Sequence, residues 1–283
     1  MDPIVILTGL AASLAWGGGD FAGGLASRRA AAARVVLASQ LIGTAALVAL
    51  GLIMREPIPP AAAMLNGLVG GLGGGLGVLL FFMSMARGKM GLAAPLTAVA
   101  SGGIPLMVGL LTEGLPGPTQ SVGFLLALAA LWVISRPDGD EPVQKQAILL
   151  PLLAGIGFGI FLTAIGRIDP NTGFVWPLVA ARIASMTMMI AVILLGRGNT
   201  ANERDGGTFP WGLAALAGVG DTAGNILFVI SSQMGRLDVA AVLGSFYPAV
   251  TALLAVLLLQ ERLSIRQTTG VVMALVAVVL IAL

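Results

Sequence analysis

The sequence predicts an all-α integral membrane protein of ten transmembrane helices, arranged as two inverted five-helix repeats. Three observations lead there. Of 283 residues only 15 are basic and 13 acidic, 10 % in all, where a soluble domain carries about 25 %. Hydrophobic residues make up 57 % and mean hydropathy is +0.99. Residues 80–94 also return, in pattern, as residues 227–241. This composition excludes an ordinary water-facing enzyme and equally excludes disorder.

The segments can be taken in chain order. Each is apolar over roughly the ~20 residues needed to cross ~30 Å of hydrocarbon. Ile4–Leu25 comes first; Met1–Pro3 lacks the basic segment of a cleaved signal, so this helix is expected to stay. Val35–Met54 follows the basic turn Ser27–Arg34, and Ala61–Ala86 follows Arg55–Pro60. The third segment carries Gly70, Gly71, Gly73, Gly74, Gly75 and Gly77, a thin face suited to close helix crossing. Leu92–Thr112 follows Arg87–Gly91 and contains Pro95 and Pro105. Gln120–Ser135 follows Glu113–Pro118 and completes the first half.

The second half opens with Ala147–Ile165, beyond Arg136–Lys145, with small residues at Gly155 and Gly159. Phe174–Leu195 follows Arg167–Pro170, and Trp211–Met234 follows Gly196–Pro210 and repeats the small spacing at Gly220 and Gly224. Val239–Gln260 follows Gly235–Asp238 and holds Pro248 in its middle; Gln267–Leu283 follows Glu261–Arg266. With no water to satisfy backbone groups, such spans must be helical. They lack the residue-by-residue alternation of barrel strands. No loop is long enough to form a domain.

Lysines and arginines set an orientation. The loops after segments 1, 3, 5, 7 and 9 hold 11 of them: Arg28, Arg29, Arg34, Arg87, Lys89, Arg136, Lys145, Arg197, Arg204, Arg262 and Arg266. The opposite loops hold three: Arg55, Arg167 and Arg236. The positive-inside rule then places the odd-numbered loops in the cytoplasm and both termini outside, in a cell inner membrane.

The repeat is specific in its order. Leu80-Phe81-x-x-Ser84-x-x-x-Gly88-Lys89-Met90-x-x-Ala93-Ala94 matches Leu227-Phe228-x-x-Ser231-x-x-x-Gly235-Arg236-Leu237-x-x-Ala240-Ala241 without a gap. Glu113-Gly-Leu115 with Gln120-x-x-Gly123 matches Glu261-Arg-Leu263 with Gln267-x-x-Gly270, and Trp16-Gly17 aligns with Phe158-Gly159. The units are residues 1–140 and 141–283. Five helices per copy make the second copy enter from the opposite face, and the reversed charge bias of the second half agrees.

In these motifs the chain resembles the EamA repeat of the drug/metabolite transporter superfamily. Within it, the chain is similar to bacterial amino acid exporters of the YddG type. The resemblance implies a ten-helix inverted-repeat bundle around a central cavity, with helices 5 and 10 at its periphery.

Candidate site residues begin with intramembrane charges, each costing about 2.5–3.5 kcal/mol to insert. Asp20, Arg182 and Asp221 are such charges. Arg182 could hold a substrate carboxylate and an Asp an amine or a proton; alternatively, they form an internal ion pair that locks helices. Asn225 stands one turn after Asp221 on the same face. The resemblance matches Arg182 to a basic position in the second helix of such units, where the first copy has Gln40. Trp16, Phe82, Phe158, Trp176, Ser245 and Tyr247 are candidates for the wall of a substrate pocket. Pro95, Pro105 and Pro248 are candidate hinges, since each removes a helical hydrogen bond. Glu113 and Glu261 read as loop caps; Arg87, Lys89 and Arg236 read as topology determinants.

The absence of histidine and cysteine removes imidazole bases, thiolate nucleophiles and their metal sites. Gly218-x-Gly220-x-x-Ala223 lies inside an apolar helix and Gly88-Lys89 precedes Met90, so neither is a nucleotide motif. No cofactor, metal or nucleic-acid partner is expected, and the protein is not read as an enzyme. The expected partners are membrane lipid and a small-molecule substrate, and a monomer is expected. The expected function is non-ATP secondary transport, exporting amino acids and related amphipathic metabolites by alternating access. The alternative is a proton-coupled multidrug or cation exporter using a buried Asp.

Overall fold

The computed structural model describes residues 3–101, 117–135, 145–165, 168, 172–196, 208–234 and 246–282. Ten helices lie among them. They are α1 (Pro3–Ser27), α2 (Ala32–Met54), α3 (Ala61–Arg87), α4 (Met90–Ser101), α5 (Pro118–Ser135), α6 (Lys145–Ile165), α7 (Val175–Leu194), α8 (Trp211–Met234), α9 (Tyr247–Leu259) and α10 (Ile265–Ala282). Each expected apolar segment thus holds a helix. Five helices, α1, α2, α3, α6 and α7, are long and apolar enough to cross a membrane. Pro105, Glu113, Arg236 and Ser245 lie outside the described residues.

One placement differs from the sequence reading. Pro248 is not in mid-helix: α9 starts at Tyr247, and Pro248 stands in its first turn, where the missing amide costs nothing. Pro95 does lie inside α4, and Pro151, unremarked in the sequence, lies inside α6.

The most extensive helix pairings all join the first half of the chain to the second. The largest are α1 on α8 and α3 on α6; α3 also packs on α7, α2 on α8 and on α7, α4 on α6 and on α9, and α1 on α9. Helices α5 and α10 pack chiefly on each other and reach the remainder through α4. Glycine permits the closest crossings. A β-carbon at Gly220 would lie 2.7 Å from the Ala15 carbonyl oxygen and 2.8 Å from Gly19 Cα. One at Gly157 would lie 2.6 Å from the Gly73 oxygen and 2.8 Å from the Gly77 nitrogen. Small faces replace the hydrophobic drive that lipid does not supply between helices. The buried core centres on Val35, Val36, Phe81, Met85 and Met90. Leu7, Leu14, Ile53, Leu65, Leu125 and Leu194 face outward, as a lipid-solvated surface requires.

Polar clasps close the bundle at its two ends. At one end, Arg28 donates to the carbonyls of Met85 (3.3 Å) and Gly88 (3.2 Å) and pairs with Glu261 (3.0 Å). Glu261 accepts the free amides of Met90 (3.1 Å) and Gly91 (3.0 Å), so it caps α4, a helix of the other half. Lys89 donates to the Arg262 carbonyl (3.0 Å) and to Gln267 (3.1 Å). At the other end, Glu56 accepts the Val175 amide (2.8 Å) at the start of α7. Gly173, at φ 82°, brings the backbone over that carboxylate.

Replacing Gly220 by Ala forces apart α1 and α8 and is expected to destabilise the bundle by about 1–3 kcal/mol, as overpacking does. Gly18→Ala, where a β-carbon meets nothing within 4 Å, is the control. Thermal unfolding in detergent should show a lower midpoint for the first and no loss for the second.

Candidate functional site

A buried guanidinium organises the middle of the bundle. Arg182 sits within α7 with 8 % of its surface exposed. It donates to Gln40 Oε1 on α2 and to Asp221 Oδ2 on α8. Gly43 lies beside it and lets α2 close on α8: a β-carbon there would stand 2.5 Å from Thr222 Oγ1. A charge in such surroundings persists only when paired and hydrogen-bonded, and both conditions are met here. The two ends of the pair differ. The Arg182 side chain is 10 % exposed and the Asp221 side chain 37 %. Asp221 is thus the partly exposed end of a pair whose guanidinium is buried.

Asp20 on α1 faces the same region. Beside it on α1, a β-carbon at Gly19 would stand 3.2 Å from the Asp221 amide nitrogen. One turn before it, Trp16 packs against Phe228 (centroids 5.5 Å apart) and lies edge-to-face with Tyr247 (6.3 Å, 74°). Gly224 leaves space for the indole. The helices bearing these rings are pinned to α1. The Thr251 hydroxyl lies 3.1 Å from the Gly17 carbonyl oxygen, and the Ser231 hydroxyl donates to the Val5 carbonyl (3.0 Å).

The structure therefore gathers Trp16, Asp20, Arg182, Asp221 and Tyr247, with Asn225 one turn along α8 from Asp221. Among the described residues, Phe82, Phe158 and Trp176 make their contacts elsewhere. Phe82 is 3 % exposed in the core, its ring over Gly23. Phe158 lies edge-to-face on Phe81, centroids 5.9 Å apart. Trp176 is an end anchor: its indole N–H donates to the Glu56 carbonyl (2.8 Å). Pro95 is buried in α4. Three contributors went unread as site residues: Gln40 as a ligand of Arg182, Phe228 as the partner of Trp16, and Thr251. Phe228 had a signal, since it repeats Phe81 147 positions on.

Residues 145–283 match the EamA-like transporter family. That match supports a place in the drug/metabolite transporter superfamily and, with the apolar helices, points to a multi-pass membrane transporter of small molecules. An uncharacterized protein of Methanocaldococcus jannaschii is 24 % identical over 142 residues, covering 50 % of this chain and 98 % of that protein. A solved crystal structure shares the fold over 98 % of this chain and 96 % of that one, with a TM-score of 0.63 and 15 % identity.

Asp221→Asn strands the guanidinium and Arg182→Leu strands the carboxylate. Each is expected to cost about 3 kcal/mol, less for Arg182→Leu because Asp221 is partly open to solvent. The double variant should recover more than half of the larger loss. Thermal unfolding of the four proteins in one detergent measures that coupling.

Proposed function

We propose that the protein is a secondary transporter of an inner membrane, exporting small amphipathic metabolites, amino acids among them, by alternating access. One observation carries the reading: a set of charged and aromatic side chains stands where helices of the two halves meet, inside an otherwise apolar bundle. Charges at such depth are costly and mark substrate paths.

The packing supports an inverted duplication of residues 1–140 and 141–283. Exchanging each helix with the one five places on turns α1·α8 into α6·α3, α3·α7 into α8·α2, and α4·α6 into α9·α1; all six pairings occur. Single contacts follow suit. Gly224 meets Trp16 as Gly77 meets Phe158, Gly218 meets Ser39 as Gly71 meets Ala181, and Gly43 meets Thr222 as Gly75 meets Ser185. That the curated relative spans half of this chain agrees with a half-sized unit. Two inverted copies can trade conformations, which opens a midplane site to one face and then the other. In this reading, which follows the bias of the loop charges, the Arg28–Glu261 clasp faces the cytoplasm. Pro95, inside α4, and Pro105 are the proposed bending points. Transport is not driven by ATP, and the protein acts as a monomer.

Proteoliposomes containing the purified protein should take up labelled amino acids or their amines faster than empty liposomes, with saturation and with counterflow from preloaded cargo. Uptake indistinguishable from empty liposomes across the panel would overturn the reading.

A further inference from the structure

The two halves match in sequence but not in how their ends close. At the Arg28 end α1 packs directly on α3: Gly23 receives the ring of Phe82, and a β-carbon at Gly24 would stand 2.8 Å from Met85 Cβ. The counterparts of α1 and α3 are α6 and α8, and their matching stretches lie at the opposite end. Among the described residues α6 and α8 form no pairing of comparable extent. Ile165, near the end of α6, packs instead in the cluster of Leu47, Val175 and Val179. Two inverted copies in like conformations would close both ends alike, and these do not.

Two differences in sequence favour this asymmetry. Across the first two helices of each copy the counterpart lies 142 positions on, as from Trp16 to Phe158 and from Gln40 to Arg182. On that register Gly23 corresponds to Ile165, whose branched side chain leaves no notch for a ring. Arg28 corresponds to Pro170, which carries no side-chain donor. Glu261, by contrast, has its counterpart in Glu113. The carboxylate belongs to both copies and the arginine to one. That arginine ties the turn after α1 to the last carbonyls of α3 and to the connection between α9 and α10. The Glu56 clasp at the opposite end is no copy of it, since it joins α2 to α7, which are each other's counterparts.

We propose that Arg28 and Glu261 form a latch, which holds this end shut in the conformation described and must part before the site opens toward it. The proposal rests on the transporter reading and gives that carrier a resting state, closed at the Arg28 end. Only this end has both the glycine notch and the cation. The latch is of a strength that can be exchanged. Its side chains are 31 % and 11 % exposed, so water takes over their bonds when they separate. A charge-assisted bond across the two halves then biases the equilibrium without freezing it.

Accessibility of a single cysteine, Asn225→Cys in the full-length protein, reads the equilibrium. A membrane-impermeant maleimide is applied to vesicles of both orientations, and the ratio of labelling rates from the two faces is taken. A separate Lys145→Cys protein, exposed at the start of α6 where Ala147 nears Gly88, shows which face the Arg28 end occupies. Arg28→Ala and Glu261→Gln should each shift the Asn225→Cys ratio toward that face by about fivefold or more. Arg28→Lys should keep part of the bias. Gly23→Ala drives a β-carbon into the Phe82 ring and should shift the ratio the same way with both latch residues intact. Gly18→Ala, whose β-carbon meets nothing within 4 Å, should leave it where it was. An unchanged ratio in Arg28→Ala, Glu261→Gln and Gly23→Ala proteins that elute and melt as folded species would overturn the latch, whatever their transport. Shifted ratios in a protein whose parent moves no cargo into liposomes would overturn the transport reading and leave the latch standing.

Discussion

A guanidinium that cannot reach bulk water must find its partners inside the bundle, and the central geometry follows from that need. Arg182 draws one acceptor from α2 and one from α8. Three helices are thereby fixed in register at one level, two from the second half and one from the first. The glycines around it make this possible. Gly43 yields space to Thr222 of α8, and Gly218 lets α8 approach the backbone of Ser39. Without such approach the acceptors would stand too far off, and an unpaired charge at this depth would be untenable.

The clasps at the two ends act on the same principle at lower stakes. Glu261 satisfies amides that α4 leaves unbonded, and Glu56 does so for α7, each across the boundary between the halves. The interior Arg182–Gln40 hydrogen bond and two terminal caps thus join the halves at three heights, with apolar and glycine contacts between. Carriers need interfaces that hold in one arrangement yet can be exchanged for another, and small sets of directional bonds on smooth packing faces suit that demand better than a deeply interlocked core.

Much of the fold was legible because lipid leaves a chain few options. Hydropathy sets where spans lie, and charged turns end them; hence segments such as Trp211–Met234 coincide with a helix to the residue. The repeated Glu-x-Leu and Gly-basic motifs were legible as caps and turns, but not as each other's partners. Crossing geometry decides that, and one sequence does not encode it locally. The same gap left Arg182 open between substrate ligand and internal pair: its distance to Asp221, 39 positions away, depends on how α7 and α8 tilt. Trp176 was read as a pocket wall from its type alone, yet its N–H finds a carbonyl at a helix end, as interfacial tryptophans do. Pro248 was placed in mid-helix because its apolar surroundings run on unbroken, whereas α9 begins beside it.

On the proposed reading, the site beside Asp221 opens to each face of the membrane in turn. The chain contains no cysteine, so a single Asn225→Cys substitution gives an unambiguous reporter. Membrane-impermeant thiol reagents applied to right-side-out and to inside-out vesicles should both label it, and a transported amine should slow both reactions. Labelling from one face only, whatever the cargo present, would contradict alternating access.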